Sequence, residues 1–337
     1  MKLNKIILLI NVLVLSHFRV SSQVQTIDFS KRINPVGFIK TDESFFLISD
    51  TAMFELNKKD KNWKPIKLFY EKIKTATVAK NQIWMGTAHS LFYRDNNNNL
   101  TFWKGLKGGE MDILSLKQNP TTQEILVATA DDGAFSLKDT VLSKTLVAHI
   151  RAEDVCQCGG YEWIGTDMGL ARLDKLGKIQ MYAEEGVGGF EIPDNSVTRL
   201  YCVDGQHLWV VMSEGLAFLD ADEKNTTSHA EGFDFLGKKG NPIFDIICTP
   251  DSDFLFLTQE GLILMNRSKL TEHPEHAASI EVYSNAGKPT ITKIKNAILN
   301  DSLWKKGYFD SKQNLWLASD AHVYKMSKKE WSKLFKQ

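Results

Sequence analysis

Acidic residues recur a few positions after a bulky apolar residue along this sequence, and they are the first side chains that could bind a ligand. Asp132, Asp167, Glu214 and Glu260 each stand in a short polar break between two apolar runs. If these breaks repeat around a ring, their carboxylates form an acidic rim, which could receive a cation, an amine or the hydroxyl groups of a sugar. Aspartate is also a favoured turn residue, so a purely structural role stays open.

Histidines are the other candidates for chemistry. A metal-dependent lyase would need His and carboxylate side chains that converge on one ion. His89 and His322 lie in the same kind of break as the acidic residues, His207 lies in an opposite turn, and the pair His273 and His276 lies in a long insertion. Because these locations differ, we predict no metal, no cofactor and no catalytic residue. The spacing also assembles no Ser, His and Asp set, and no glycine-rich phosphate loop opens a helix.

The elements that position these side chains form a repeat. The stretch Glu162–Leu170 returns in related form as Leu208–Leu216. Alignment on this stretch gives seven copies, each with one bulky apolar residue that we call the key position. A hydroxyl residue stands three residues after the key position in six of the seven copies. Repeats of this length indicate a propeller, a solenoid or an array. The key positions are Phe46, Trp84, Leu126, Trp163, Trp209, Leu255 and Trp316.

Each copy contains four short apolar runs that are bounded by Gly, Asp and Asn and lack a helical period, which indicates strands. Residues 23–337 provide about 45 residues for each of seven copies, a usual blade length. The sequence therefore predicts an all-β fold, a seven-bladed β-propeller of four-stranded antiparallel blades over residues 23–337, with an insertion at about 271–301. Ile280–Tyr283 is predicted as the outer strand of the sixth blade. Val24–Phe29 is predicted to complete the last blade beside Trp331–Phe335.

The key residues and their hydroxyl partners invite two interpretations. Aromatic faces can stack on sugars, so the tryptophans could bind a glycan. A residue that recurs at one position of every blade more commonly packs the interface between neighbouring blades. We therefore predict that the key residues are structural and that the hydroxyl of each copy satisfies a local backbone group.

The first residues predict export. Residues 1–22 contain a short basic head, an apolar run that ends before Ser16 and a polar stretch, which is the pattern of a signal peptide cleaved after Ser22. The apolar run is too short to span a bilayer, and no later segment is long and apolar enough. We expect a periplasmic or secreted protein without a membrane span after cleavage. The chain carries 41 basic and 41 acidic side chains, so a nucleic-acid partner, which favours a clustered basic excess, is not expected.

Four cysteines raise the question of disulfides in an exported chain. Cys156, Cys202 and Cys248 each stand seven residues before a key position, so they are expected to occupy the same buried strand site of successive blades. Cys156 and Cys158 would share one face of a strand, where the geometry for bridging is poor. We therefore predict that all four thiols are unpaired.

The repeat resembles a known family, the two-component regulator propeller repeat. The resemblance rests on Ile192-Pro193-Asp194-Asn195-Ser196-Val197 and on Trp163-Ile164-Gly165-Thr166-Asp167-Met168-Gly169-Leu170. In that family, propellers form the periplasmic sensor half of hybrid histidine kinases of Bacteroidota and respond to oligosaccharides. Such sensors continue into an immunoglobulin-like domain, a membrane span and a kinase, which this sequence does not contain. The resemblance therefore implies a stand-alone propeller that keeps the recognition role.

These observations predict a non-enzymatic recognition propeller that binds an oligosaccharide or an envelope protein on one face. Alternatives are a metal-dependent lyase, similar to the propeller lyase that inactivates streptogramins, and a structural adaptor in an envelope complex. The connections Glu184–Asn195 and Glu231–Asn241 are expected on the same face as the acidic breaks, and loops on a rigid scaffold carry function. The predicted ligand-binding residues are Asp132, Asp167, Phe190, Glu214, Phe233, Glu260 and His322.

Overall fold

A computed structural model describes residues 32–56, 63–94, 99–103, 110–186, 190–221, 231–232, 242–265, 291–293, 299 and 302–335. The predicted signal peptide and the predicted strand at Val24–Phe29 lie outside these residues.

Short β-branched and aromatic runs form seven antiparallel sheets, and within each sheet the strands follow one another in chain order. Six sheets have four strands, and the seventh has three among the described residues. The first strands are β1 (Pro35–Lys40), β5 (Thr75–Ala79), β9 (Ile113–Gln118), β13 (Ala152–Cys158), β17 (Val197–Cys202), β21 (Ile243–Cys248) and β25 (Lys306–Phe309). The second strands are β2 (Phe45–Ser49), β6 (Gln82–Gly86), β10 (Ile125–Thr129), β14 (Tyr161–Thr166), β18 (His207–Met212), β22 (Phe254–Thr258) and β26 (Leu315–Ala318).

The outer strands complete each sheet. The third strands are β3 (Ala52–Leu56), β7 (Leu91–Arg94), β11 (Ala134–Lys138), β15 (Gly169–Leu173), β19 (Leu216–Asp220), β23 (Gly261–Met265) and β27 (Val323–Met326). The fourth strands are β4 (Trp63–Leu68), β8 (Leu100–Phe102), β12 (Val141–Val147), β16 (Ile179–Tyr182), β20 (Glu231–Gly232) and β24 (Ile291–Lys293).

The seven sheets close into a ring, because the first and last sheets pack against each other. Phe45 and Leu47 of β2 share an apolar cluster with Trp316 and Val323 of the seventh sheet. The first strands β1 and β25 are also neighbours. The predicted seven-bladed propeller of antiparallel blades is therefore confirmed.

The apolar core lies between neighbouring blades. All seven key positions fall in the second strand of their blade, and none is more than 3% exposed. Trp209 shows what such a residue contacts: its ring stands edge-on to Phe254 and Phe256 of the next blade, with centroids 5.2 and 5.0 Å away. Stacked blades thus bury one another's faces, which is how a repeat that has no core of its own becomes stable.

The hydroxyl three residues after the key position fixes the turn between the second and third strands. Thr166 donates from Oγ1 to the carbonyl of Gly169 at 2.8 Å and accepts from the amide of Met168 at 3.0 Å. Equivalent bonds to backbone carbonyls are made by Ser49, Thr87, Thr129, Thr258 and Ser319. Each hydroxyl is almost completely buried, so it satisfies backbone groups that water cannot reach.

Thr166→Val is expected to lower the free energy of unfolding by about 1–3 kcal/mol, because it removes both hydrogen bonds that the buried hydroxyl makes to the turn. Denaturant unfolding followed by tryptophan fluorescence measures the change. The exposed Thr121 gives a matched control, since Thr121→Val should shift stability by less than about 0.5 kcal/mol. Equal effects of the two changes would contradict this role of the hydroxyl.

The last described element is a helix, α1 (Lys328–Phe335), where a strand partner at Trp331–Phe335 is predicted from sequence. A capping box starts it: the Glu330 carboxylate accepts from the amide of Ser327 at 2.7 Å. Trp331 is buried and donates from Nε1 to the carbonyl of Gln313 at 2.7 Å. The helix thus anchors the chain end against the seventh blade. It is far too short to cross a bilayer, and no described helix is long and apolar enough to do so.

The sixth blade departs from prediction in its outer strand. Ile291–Lys293 pairs with β23 as the fourth strand, so this part of the predicted insertion belongs to the blade itself. The segment predicted for that position, Ile280–Tyr283, lies outside the described residues.

The prediction of four unpaired cysteines is wrong, because Cys158 and Cys202 form a disulfide between the fourth and fifth blades. Cys156 lies opposite the key residue Trp163, whereas Cys202 lies opposite Leu208, one residue before its key tryptophan. The turn between the first two strands is one residue longer in the fifth blade, and a shift of one residue moves a side chain to the other face of the sheet. Counting back from the tryptophan therefore equated cysteines that are not equivalent.

The other two cysteines, Cys156 and Cys248, are not part of the disulfide. Cys156 is buried, and burial raises the pKa of its thiol to about 12. A thiol with so high a pKa carries almost no reactive thiolate at neutral pH. Cys156 is therefore an inert packing residue.

Candidate functional site

The first strands of all seven blades surround a cavity of about 590 Å³ on the propeller axis. Its lining includes four cations, Lys74, Lys117, Arg199 and Lys306, and three carboxylates. Threonine, serine and tyrosine hydroxyls complete much of the remaining surface. Pockets of about 300–1,000 Å³ hold small ligands, so the cavity is large enough for one.

One position of every first strand forms a ring around this cavity. It is the residue paired with the second residue after the key position, and we call the set of seven the polar ring. In blade order the members are Gly37, Thr75, Ser115, Asp154, Arg199, Asp245 and Lys306. All lie within the first three residues of their strands, so the ring is close to the face of the disc where the first strands begin.

Asp154 is the most buried acidic member of the polar ring and joins three blades. Its carboxylate accepts from Lys117 Nζ at 2.6 Å and from the Ser115 hydroxyl, both on the third blade. It also accepts from the amide of Leu200 on the fifth blade at 2.7 Å and from the amide of Val155 at 2.8 Å. A buried carboxylate needs this number of donors, so Asp154 is fully engaged in the scaffold.

The bond from Asp154 to the next blade has counterparts in alternate blades. Thr75 Oγ1 accepts from the amide of Leu116 at 3.0 Å, and Asp245 accepts from the amide of Gly307 at 3.0 Å. In all three cases the donor is the residue that follows the ring member of the next blade. Members of the second, fourth and sixth blades therefore hold the third, fifth and seventh.

Arg199 differs from the other cations of the cavity. Lys117, Lys306 and Lys74 pair with Asp154, Asp245 and Asp112, with N to O distances of 2.6, 3.6 and 2.5 Å. Among the described residues no carboxylate lies within ion-pair distance of Arg199, whose Nη1 donates to the carbonyl of Phe244 at 3.0 Å. The third carboxylate of the lining, Glu153, pairs with Arg151. Arg199 thus carries the one positive charge of the cavity that no carboxylate balances.

The environment of Arg199 favours its charged form, and burial favours the neutral phenol of Tyr201. The adjacent oxygen of Tyr201, followed by the carboxylates of Asp245 and Asp154, raises the pKa of Arg199 above its usual range. Burial raises the pKa of Tyr201, so the phenol keeps its proton. Its hydroxyl donates to the same Phe244 carbonyl at 3.3 Å. Burial lowers the pKa of Lys306. An arginine beside a phenol and several hydroxyls can bind an oxyanion bidentately.

The sequence-predicted site residues lie at the rim, outside this cavity. Contacts show that the turns between second and third strands share a face with the connections between blades: the amide of Glu214 donates to Asp194 at 2.9 Å, and the amide of Ser213 donates to the carbonyl of Ser196 at 3.0 Å. We call this side the entry face. The predicted residues exposed in its turns are Asp132, Asp167, Glu214, Glu260 and His322.

Of the two predicted aromatic residues, only Phe190 lies among the described residues. Phe190 is half-buried and stands edge-on to Tyr182 with ring centroids 5.2 Å apart, so much of its surface is used in packing. Phe233 lies outside the described residues.

The described histidines do not converge. His207 is buried near the opposite face, where Nδ1 lies 2.6 Å from Asp204 Oδ2 and the ring stacks on Phe218. Although burial opposes it, the hydrogen bonds from His207 lower the pKa of Asp204 to about 2. His89 lies near Glu110 at 3.5 Å. Within the described ranges, no group of three His, Cys, Asp or Glu side chains could hold a metal ion.

Known proteins resemble this chain in structure and not in sequence. No protein-family model matches the chain, and no curated protein matches it by sequence. Solved structures do. The extracellular domain of a protein described as a hybrid two component system from B. thetaiotaomicron has a TM-score of 0.63 at 13% identity, covering 90% of this chain and 40% of that one. This chain has the same fold.

Two further solved structures have a similar fold. Streptogramin B lyase has a TM-score of 0.63 at 10% identity over 90% of this chain and 96% of its own. PorZ, a surface component of the type-IX secretion system of Porphyromonas gingivalis, has a TM-score of 0.57 at 11% identity, covering 89% of this chain and 37% of its own. At these identities the likeness establishes the fold, and the function has to be argued from the site.

Proposed function

We propose that the chain is an exported, non-enzymatic recognition propeller that binds a glycan at its entry face and in the axial cavity. The observation that carries the proposal is the axial cavity of about 590 Å³, lined by hydroxyl and charged groups from six of the seven blades. Sugars are recognised by such a combination of fixed polar groups in a concave site. The proposal agrees with the likeness to the extracellular domain of a hybrid two component system.

Two observations favour recognition over catalysis. The described lining of the cavity contains no histidine, whereas acid and base catalysis most often uses one. Its most buried carboxylate, Asp154, is occupied by four hydrogen bonds, which leaves it poorly placed to exchange a proton with a substrate. A lyase activity is the alternative, and the assay below includes it.

Export is supported by the disulfide between Cys158 and Cys202, because disulfides persist in oxidising compartments outside the cytosol. The predicted cleavage after Ser22 gives this part of the proposal a direct check. Mass spectrometry of the protein recovered from its native envelope should find a mature N-terminus at Gln23. An intact N-terminus on a cytosolic protein with two reduced thiols would contradict export.

Binding of glycans is tested by a glycan array probed with the mature chain, followed by calorimetry of each hit. The proposal expects at least one oligosaccharide that binds with a single site and is recovered unchanged after incubation. Cleavage of a bound glycan, or elimination of a streptogramin without glycan binding, would replace recognition with catalysis. A mature chain that binds no glycan while capturing an envelope protein would favour an adaptor.

Asp167→Ala and Glu214→Ala are expected to weaken glycan binding about 3- to 10-fold each, because each removes an exposed acceptor for sugar hydroxyls at the entry face. The melting temperature should change little, since these are surface side chains. Calorimetry and thermal unfolding measure the two quantities. Asp251→Ala, in an exposed turn of the opposite face, is the matched control. Normal binding by the first two variants, with loss in the third or in a His207 variant, would show that the wrong face was chosen.

The adaptor function is a second candidate, because the edge of the first two blades exposes an apolar patch. Tyr70 is completely exposed, Phe102 is largely exposed and Ile66 is partly exposed. Beside them lies a mainly apolar cavity of about 270 Å³. Exposed apolar patches mark interaction surfaces when they are large. Tyr70→Ser with Phe102→Ser should abolish capture of an envelope partner while leaving glycan binding intact, if this edge is the docking site.

A further inference from the structure

We propose that the axial cavity selects glycans that carry a single carboxylate, and that Arg199 binds this group. The inference rests on the proposed glycan recognition and names the class of sugar. Its starting point is the polar ring, in which Asp154, Arg199 and Asp245 occupy the same position of consecutive blades.

The two acidic members are already neutralised. Asp154 holds Lys117 at 2.6 Å and a backbone amide at 2.7 Å, and Asp245 holds Lys306 at 3.6 Å and a backbone amide at 3.0 Å. Arg199 stands between them with a bond from Nη1 to a backbone carbonyl and with the side chain of Tyr201 in hydrogen-bonding contact. Its fork of five N–H donors fits a carboxylate better than any other side chain does, and the bond to the carbonyl engages only Nη1.

The location of Arg199 suits a ligand better than a structural ion pair. Its side chain is accessible to water, although the channel strands enclose it. A charge in such a site is screened less than one on an open surface. The phenol of Tyr201 and the hydroxyls of Thr75 and Thr198 line the same cavity. They provide the neutral donors and acceptors that the rest of a sugar ring requires.

The charge balance sets the number of carboxylates. With the outer partners Asp112 of Lys74 and Arg151 of Glu153 counted, five cations face four carboxylates at the cavity, a surplus that one monoanion cancels. A phosphate carries about 1.5 to 2 negative charges at pH 7, and it would leave the cavity negative. The exposed carboxylates of the entry face, such as Asp167 and Glu214, also repel a polyanion as it approaches. A disaccharide with one uronate and one neutral sugar satisfies both conditions.

The test uses the mature chain and a panel of disaccharides that each contain one glucuronate or one galacturonate. Every acid is paired with its methyl ester, which has the same shape and no charge. Calorimetry should show that at least one acid binds about 10- to 100-fold more tightly than its ester, as expected for a bidentate charge-assisted pair. Digalacturonate and a sugar sulfate serve as the dianionic and sulfate arms, and the preference for the monouronate should persist over both.

The variants locate the effect. Arg199→Gln should remove the difference between acid and ester while leaving the affinity for the ester within about twofold. Lys312→Gln, which removes one exposed charge from a turn of the opposite face, should leave both unchanged. Arg199→Lys keeps the charge and loses the fork, so it should retain part of the preference. It also serves if the glutamine variant does not fold.

The outcomes separate the two proposals. If esters or neutral disaccharides bind as tightly as the acids, or if Arg199→Gln keeps the preference, the assignment to Arg199 fails while glycan recognition stands. A stronger response to the sulfate or to digalacturonate overturns the monocarboxylate. If no member of the panel and no glycan on the array binds, the proposed function fails together with this inference.

Discussion

Trp209→Ala is expected to lower the free energy of unfolding by about 3–5 kcal/mol, the usual cost of truncating a fully buried tryptophan. Trp209 is completely buried between the fifth and sixth blades, where it packs on Phe218, Phe254 and Phe256. No single neighbour can fill the space that its ring leaves, because the surrounding strands are fixed by their own hydrogen bonds. Denaturant unfolding followed by circular dichroism measures the loss.

Phe102→Ala is the matched control for this prediction. Phe102 lies in β8 and is 67% exposed, so the same kind of truncation should change stability by less than about 0.5 kcal/mol. Trp209→Phe should fall between the two, since part of the aromatic contact remains. A cost for Trp209→Ala close to that of Phe102→Ala would contradict the packing role assigned to the key positions.

Removal of the disulfide, by Cys158→Ala together with Cys202→Ala, is expected to lower the free energy of unfolding by about 3–4 kcal/mol. The bridge closes a loop with a sequence separation of 44, and a cross-link of that span restricts the unfolded chain by about this amount. It also joins two blades directly. Thermal unfolding of the oxidised wild type and of the double variant compares the two states.

Reduction gives an independent test of the same bridge. Dithiothreitol should lower the melting temperature of the wild type toward that of the double variant, and it should leave the double variant unchanged. Cys248→Ala, which removes a half-buried thiol outside the disulfide, should have a much smaller effect. A wild type that is insensitive to reductant would mean that the bridge contributes little.

The architecture could be predicted because its signal is repeated seven times. The key positions and their hydroxyl partners recur once per blade, and packing requires these residue types at these positions. A copy with a weak pattern can therefore be recognised from the other copies. Features confined to one copy were harder. The capping box at Ser327 and Glu330 is a local signal for the start of a helix, whereas the blade repeat predicts a strand at the same place. The disulfide could not be predicted, because it depends on a turn of the fifth blade that is one residue longer than the equivalent turn of the fourth blade.

The candidate site was predicted only in part. Turn residues such as Asp167 could be placed on one face from the order of strands alone. Packing and turn positions do not reveal the polar ring, although its signal is in the sequence. Asp154, Arg199 and Asp245 each put a charge inside a first strand with buried apolar neighbours, and a charge there has to face either a partner or a channel. Which of the three lacks an ionic partner could not be predicted, because the pairs form between blades.

The alternating bonds of the polar ring have a consequence for symmetry. Bonds that link the blades in pairs leave one of seven blades without a partner, so the alternating pattern must break at one blade. The break falls at the first blade, whose ring member is Gly37, with open space where a side chain would stand. The remaining members then differ in size and sign around the axis, from Thr75 to Lys306. Because the number of blades is odd, the polar ring breaks the near rotational symmetry of the disc. A ligand on the axis can therefore be held in one orientation instead of seven equivalent ones.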